Sequence, residues 1–273
     1  MSVKQPFGYY AGKQLLAKKT IEKAFPDLSE IKIFVEPFCG GASLFWHLPD
    51  NIPQFILNDN SSQVTRFYRL AKNRDPDLLR EVEGTVYSED DFLRATRIFH
   101  RDTDPEGVRA WAFWYLCGAS FAYEIGKGFG FNRNGLKGGK GVSGTFYSRR
   151  ESLGAFCEIL DRRNLTIFNR DFADLPTIYD EEGVLYYIDP PYLGTTLGHC
   201  GDWTIKDEVR LLRWASTFQK AKIIIAGYLN NDEKIEFATG LDWDVVVLRG
   251  SLRARKNGSG KKTEIVLRNF RDK

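Results

Sequence analysis

Asp189-Pro190-Pro191-Tyr192 directly follows the apolar run Val184-Leu185-Tyr186-Tyr187-Ile188. That run is β-branched and aromatic with no charge, which predicts a buried strand. Neither proline can donate to a sheet ladder, so the pair ends the strand and stiffens the backbone beyond its carboxyl end. Ligands of open α/β sheets bind at that end. Asp189 offers a carboxylate there, Pro190 a carbonyl that cannot rotate away, and Tyr192 a flat ring. A planar base with an exocyclic amine would find two acceptors for its N–H groups and a surface to stack on. The plain alternative is an Asp-Pro turn that merely caps a strand.

A second group of residues suits a nucleotide. The strand Ile31–Val35 runs into Glu36-Pro37-Phe38-Cys39-Gly40-Gly41-Ala42. Gly40 and Gly41 let a backbone approach a ligand closely, and a helix starting behind them would offer free N–H groups. Ala42 and Leu44-Phe45 stand where the later glycines of a dinucleotide-binding G-x-G-x-x-G would be, so that motif is excluded. Asp59 lies about 20 residues further on, at the end of the strand Gln54–Leu57, where a carboxylate can accept both hydroxyls of a ribose. Its alternative is an Asn58-Asp59-Asn60 turn cap.

Regular elements must hold these groups. Helical spacing marks Gly12–Ala24, Gln63–Lys72, Ser88–Arg101, Pro105–Ser120 and Ser148–Arg162, with Ser88 and Asp91 as a capping pair. Strands are predicted at 31–35, 54–57, 165–168, 184–188, 222–226, 243–248 and 264–267. The last two have only the basic Ser251–Lys262 loop between them and should form an antiparallel hairpin. The sequence thus reads as an α/β fold with a seven-stranded mixed sheet interrupted by a helical insertion.

With 273 residues, 42% of them hydrophobic, the chain can bury a large core. Its net charge of +3 alone says little about partners. The distribution says more, because every charged residue from Gly126 to Arg150 is basic, as is every one from Val245 to Thr263. Such segments suit a phosphate backbone. Cys39, Cys117, Cys157 and Cys200 show no metal-ligand spacing and read as reduced thiols. Only three histidines are present, so neither a zinc site nor a Ser-His-Asp triad is expected. No signal-peptide core opens the chain and no apolar stretch could cross a bilayer, which predicts a cytoplasmic protein.

These motifs together resemble a family. Phe38-Cys39-Gly40-Gly41-Ala42 is similar to the cofactor motif of S-adenosylmethionine-dependent amino-methyltransferases, and Asp189-Pro190-Pro191-Tyr192 to their catalytic motif. Tyr9-Tyr10-Ala11-Gly12-Lys13 resembles the N-terminal signature of Dam-type (alpha-group) DNA adenine-N6 methyltransferases, and Arg170-Asp171-Phe172 their third motif. The glycine-rich stretch and Arg149-Arg150 are closer in character to phage-encoded members. The resemblance implies a Rossmann-like class I methyltransferase fold, with residues 1–64 and 166–273 forming the catalytic domain and 65–165 a helical insertion that reads DNA. It implies S-adenosylmethionine as cofactor and double-stranded DNA as partner, in a prokaryotic or phage-infected cell. No metal or membrane partner is implied, and a monomer or weak dimer is expected, with a cognate restriction enzyme left open.

The resemblance also assigns roles. Asp189 and Pro190 would hold the adenine amine, and Tyr192 would stack on the base. Tyr9, Lys13, Glu36, Phe38, Gly40, Asp59, Asp171, Phe172 and Asp189 would hold the cofactor, with Lys13 able to reach DNA instead. Lys127, Arg133, Lys137, Arg149 and Arg150 would meet phosphates, as would Arg253, Arg255 and Lys256 of the hairpin loop. The aromatic residues Trp111, Phe113, Trp114, Tyr115, Phe121 and Tyr123 are expected mostly in the helical core. Cys117 to Tyr123 departs from the Asn-Arg-Tyr-Gly-Tyr-Asn-Gly type of segment found in GATC-recognising members, so GATC is not implied as the target. An RNA base-amine methyltransferase is the nearest rival, and a catalytically inactive DNA-binding relative another. About 150 residues separate Gly40 from Asp189, more than plain βαβ units need, which favours the DNA enzyme.

Overall fold

The computed structural model describes residues 5–8, 16–121, 124–130, 142–175, 179–193, 196–197, 201–229, 232–252 and 262–271. In chain order come α1 (Ala17–Ala24), β1 (Ile33–Glu36), β2 (Gln54–Asn58), α2 (Ser62–Lys72), α3 (Pro76–Gly84), α4 (Glu89–Phe99) and α5 (Glu106–Ala119). Then come α6 (Val142–Glu151), α7 (Leu153–Arg162), β3 (Leu165–Phe168), β4 (Val184–Ile188) and two short strands, β5 (Thr196–Leu197) and β6 (Gly201–Asp202). Last are α8 (Ile205–Ala215), β7 (Lys222–Tyr228), α9 (Asp232–Gly240), β8 (Asp244–Leu252) and β9 (Lys262–Arg268).

All seven expected strands form one sheet in the order β3-β2-β1-β4-β7-β9-β8. The first five are parallel neighbours, while β9 runs antiparallel to both β7 and β8. The chain therefore lays β2 and β3 to one side of β1, then crosses to lay β4 and β7 on the other. That reversal opens a crevice at the carboxyl ends of β1 and β4, the usual ligand site of such sheets. Glu36 ends β1 and Asp189 comes directly after β4, so both carboxylates stand at the crevice.

Alternation along the strands sends side chains to two cores. Phe34, Phe55, Leu57, Leu185, Tyr187 and Ile224 face one, whereas Val35, Ile56, Tyr186, Ile188, Ile223 and Ile225 face the other with Leu211 and Leu212 of α8. The first core continues without a break into α2, α4, α5, α6 and α7. From Ala110 to Ala119 helix α5 carries no charge and is buried on every side, Trp111, Phe113, Trp114 and Tyr115 included. The ring of Phe146 on α6 lies 5.0 Å from Trp114 and 5.1 Å from both Tyr87 and Tyr115.

Three local expectations need correction. The turn after β1 does not open a helix; residues Phe45–His47 form one 3-10 turn. Pro49 explains this, since the residue before a proline is pushed out of helical geometry. The expected helix 148–162 is two, starting earlier at Val142 and interrupted at Ser152. Helix α3 was not anticipated, although Asp75 caps it through Leu78 N (2.9 Å) and Pro76 fills its first turn. The Ser88 cap is present, its Oγ accepting from Asp91 N at 3.1 Å, while the Asp91 carboxylate accepts from Val86 N instead of completing a box. The helical block begins at Ser62, inside which the boundary at 65 falls. No described helix is long and apolar enough to cross a membrane.

Candidate active site

The glycine turn is pinned from all sides. Cys39 N donates to Asn58 O (2.8 Å), Tyr68 Oη to Gly40 O (3.1 Å) and Trp46 Nε1 to Gly41 O (3.1 Å). Gly40 and Ala42 both take left-handed backbone, at φ 44° and 49°. The Asp59 carboxylate closes the turn against β2, accepting from Gly40 N through Oδ2 and from Ser61 N through Oδ1, each at 2.9 Å. Burial pushes its carboxyl up to about 6, against the opposing pull of those two N–H groups. Beneath it, buried Asn58 donates to Pro37 O (2.9 Å) and Arg170 O (3.0 Å) and accepts from Arg170 N (3.1 Å). One amide thus ties together the carboxyl ends of β1, β2 and β3.

Glu36 is buried beside the turn. Burial raises its carboxyl well above the usual range; the N–H groups of Leu44 and Phe45 oppose this and the charge of Asp189 reinforces it. Among the described residues its Oε2 has no hydrogen-bond partner. The same is true of Nε2 of buried Gln5, whose amide lies against Gly41, 3.2 Å from where a Cβ would stand. A polar ligand seated on the turn would therefore meet one unsatisfied acceptor and one unsatisfied donor, and buried polar groups rarely remain unsatisfied.

An aromatic wall flanks this floor. Phe38 meets Phe172 at 5.2 Å and Trp203 edge-on at 5.7 Å. Trp203 is held in place by the start of α8. Thr204 and Asp207 form a reciprocal capping box there, and Trp203 Nε1 donates to Glu208 Oε2 at 2.7 Å. Asp171 is engaged by both nitrogens of Arg210 (2.7 and 2.8 Å) and by Ala173 N (2.9 Å). Burial pushes that carboxyl up, but these partners outweigh it and hold it below its usual range. The Arg210 guanidinium also lies 4.8 Å over the Phe172 ring.

At the end of β4, half-buried Asp189 accepts from Tyr192 Oη at 3.0 Å. Burial first, and Asp189 second, raise the Tyr192 phenol well above its ordinary value, so it stays protonated and donates. Its ring is less open than the sequence suggests: it is 9% exposed and lies 4.6 Å from Tyr228 of β7. Pro190 is buried.

The basic residues divide. Lys127 is exposed, 3.6 Å from Glu124. Arg149 is buried, and Arg150 donates to Thr85 O (3.0 Å) while covering the Tyr147 ring at 4.9 Å. Phe121, unlike the α5 aromatics, is 62% exposed. Tyr9, Lys13, Tyr123, Arg133, Lys137, Arg253, Arg255 and Lys256 lie outside the described residues.

A glycine turn, an acid after β2 and an Asp-Pro-Pro-Tyr loop at one crevice fit several transferases. The family comparison decides among them: the profile described as D12 class N6 adenine-specific DNA methyltransferase matches residues 9–240, from the N-terminal signature through the catalytic loop. The chain belongs to that class. As a D12-class enzyme it is an adenine-specific DNA methyltransferase, which sets the RNA reading aside. Its curated relatives include the type II methyltransferase M1.LlaDCHI of Lactococcus lactis subsp. cremoris, 24% identical over 97% of this chain and 95% of that protein. M.CviBI of Paramecium bursaria Chlorella virus NC1A is 22% identical over 82% and 83%. M.FokI of Planomicrobium okeanokoites is 26% identical over 77% of this chain, which spans about a third (33%) of that longer protein. Beside the candidate site stand residues that the sequence did not single out: Gln5, Trp203, Glu208, Tyr228 and Lys234, whose Nζ lies 5.7 Å from the centre of the Tyr192 ring. The Thr204/Asp207 spacing marks a helix start next to Trp203 that could have drawn attention to it; the others carry no local signal.

Proposed function

We propose that this enzyme moves a methyl group from S-adenosylmethionine to the N6 amine of an adenine flipped out of duplex DNA. The observation that carries the reading is the placement of Asp189 across one crevice from Glu36, Gly40 and Asp59. Bound there, the cofactor supplies an electrophilic methyl on a sulfonium. The donor set fits such a molecule. Gln5 Nε2 and Glu36 Oε2 suit the carboxylate and ammonium of its amino-acid end, Asp59 the ribose hydroxyls, and Phe38, Phe172 and Trp203 the flat base.

The amine of adenine is a poor nucleophile because its lone pair is delocalised. Asp189 and the Pro190 carbonyl accept its two N–H bonds and draw the nitrogen toward tetrahedral geometry, so the lone pair points at the methyl carbon. The carboxylate is then placed to take the proton released as the C–N bond forms. Alignment and fixed acceptors, not a covalent intermediate, provide the acceleration. The face of the helical block bearing Phe121 and Lys127 meets the DNA, with Phe121 available to fill the stack when the base leaves it.

Incubation with S-adenosylmethionine and either mixed-sequence duplex DNA or total RNA, followed by nucleoside mass spectrometry, tests the reading. 6-Methyladenine in DNA, absent with Asp189→Ala, is the expected result. Methylation confined to RNA, or unchanged in Asp189→Ala, would overturn it.

A further inference from the structure

We infer that Glu208 of α8 and Lys234 of α9 form a positioning pair that sets the Tyr192 ring and, through it, the Asp189 carboxylate. The inference rests on the reading of Asp189 and Tyr192 as the amine-binding loop. Both charged side chains are fully buried, with Nζ 3.1 Å from Oε1. Removing two charges from water is costly, and apolar residues of similar size usually serve packing as well or better. Leu211, Leu212 and Ala238 already seat the two helices on the sheet. The pair therefore calls for an explanation other than packing, and its contacts supply one.

Lys234 Nζ donates to Ala226 O at 3.1 Å and lies 5.7 Å from the centre of the Tyr192 ring. Tyr228, two residues beyond Ala226 on β7, packs against that same ring with the planes tilted by 40°. Between them Gly227 leaves room for the Lys234 stem, since a Cβ there would fall 3.0 Å from Lys234 Cδ. An ammonium within about 6 Å of an aromatic face is attracted to it, more strongly where water is excluded. The ring is thus held by Tyr228, by a desolvated cation and by its own hydroxyl on Asp189 Oδ1. At the other end, Glu208 Oε2 accepts from Trp203 Nε1, and Trp203 packs on Phe38. One chain of contacts joins the aromatic wall to the amine-binding loop.

Methyl transfer to mixed-sequence duplex DNA tests this, alongside thermal melting and calorimetric binding of S-adenosylmethionine. Glu208→Met/Lys234→Met removes both charges together and leaves neither unpaired. It also takes a partner from Trp203 Nε1 and Ala226 O, so it should melt somewhat below the wild type while staying folded. It should bind the cofactor within about threefold, yet lose about a hundredfold in kcat, as misplaced reacting groups do. Gly227→Ala keeps both charges and only displaces the Lys234 stem; it should lower kcat about tenfold on the same basis. In a Tyr192→Ala background the double substitution should cost nothing further, because contacts in one chain are not additive. Wild-type kcat in a folded double variant, or full additivity with Tyr192→Ala, would overturn the inference. Should the double variant fail to fold, wild-type kcat in Gly227→Ala does the same. Activity retained by Asp189→Ala would instead bring down the underlying reading.

Discussion

At the scale of single residues, opposing effects of similar size decide the outcome at Ala42. Its left-handed backbone costs about 1–2 kcal/mol for a residue with a Cβ. Its fully buried methyl returns about 0.8 kcal/mol, and glycine would add unfolded-state entropy of about 0.4–1 kcal/mol. Ala42→Gly should therefore leave the urea midpoint nearly unchanged. Ala42→Val joins β-branching at positive φ to overpacking and should cost about 3 kcal/mol in the same titration. Asp59 gives a pH signature. With its carboxyl raised to about 6, the folded protein holds a proton between about pH 4 and 6 that the unfolded chain has released. Stability from this group thus declines as pH rises through that window. A ribose needs the ionised form, so S-adenosylmethionine binding should behave oppositely, weakening as pH falls from 7 to 5 by up to about tenfold per pH unit. Calorimetric titration across that range should show the slope in the wild type and its loss in Asp59→Asn; an unchanged slope would remove Asp59 from the binding site.

At the scale of elements, strands were legible because each is a short, mainly apolar run bounded by turn residues, and the glycine turn and the Asp-Pro-Pro-Tyr loop sit at strand ends as expected. The ties between elements were not legible. Asn58 looks like one more turn residue in sequence, yet its amide bonds Pro37 from β1's end and Arg170 from β3's, 112 residues away. Nothing local could reveal that distance. The helix expected behind the glycine turn failed because a downstream proline outweighed an otherwise helical pattern. Lys234 and Glu208 were unreadable for a further reason: a charged residue in a helix is ordinarily taken for solvent-exposed. Asn58→Leu, of similar size, leaves two carbonyls and an N–H without their partner and should cost about 3 kcal/mol in denaturant unfolding. It should also weaken cofactor binding, since Pro37 at the start of the turn loses its tie to β2; normal binding in that variant would show that the bonds it keeps, from Cys39 N, Asp59, Tyr68 and Trp46, are enough to hold the turn.

At the scale of the molecule, the helices between β2 and β3 do not have a core of their own. Phe34 and Phe55 of the sheet belong to one cluster with Trp111 and Phe146. Trp114 Nε1 donates to Pro6 O at 2.8 Å, and Arg163 reaches from the end of α7 to Phe45 O, Leu48 O and Asp50. Calorimetry should accordingly show one unfolding transition, with an enthalpy of about 190 kcal/mol near 60 °C for 273 residues. Two resolved transitions would mean that the helical block melts separately. The position of β9, paired on both sides between β7 and β8, bears on how the protein is made. Translation produces β7 and β8 first, yet they cannot close on each other without displacing the strand that belongs between them. Until residues 262–268 have left the ribosome, β7 has an open edge, the kind that recruits strands from neighbouring nascent chains. A pause in synthesis just before this strand would expose the half-made sheet to aggregation, and chaperone dependence should be greatest in that interval.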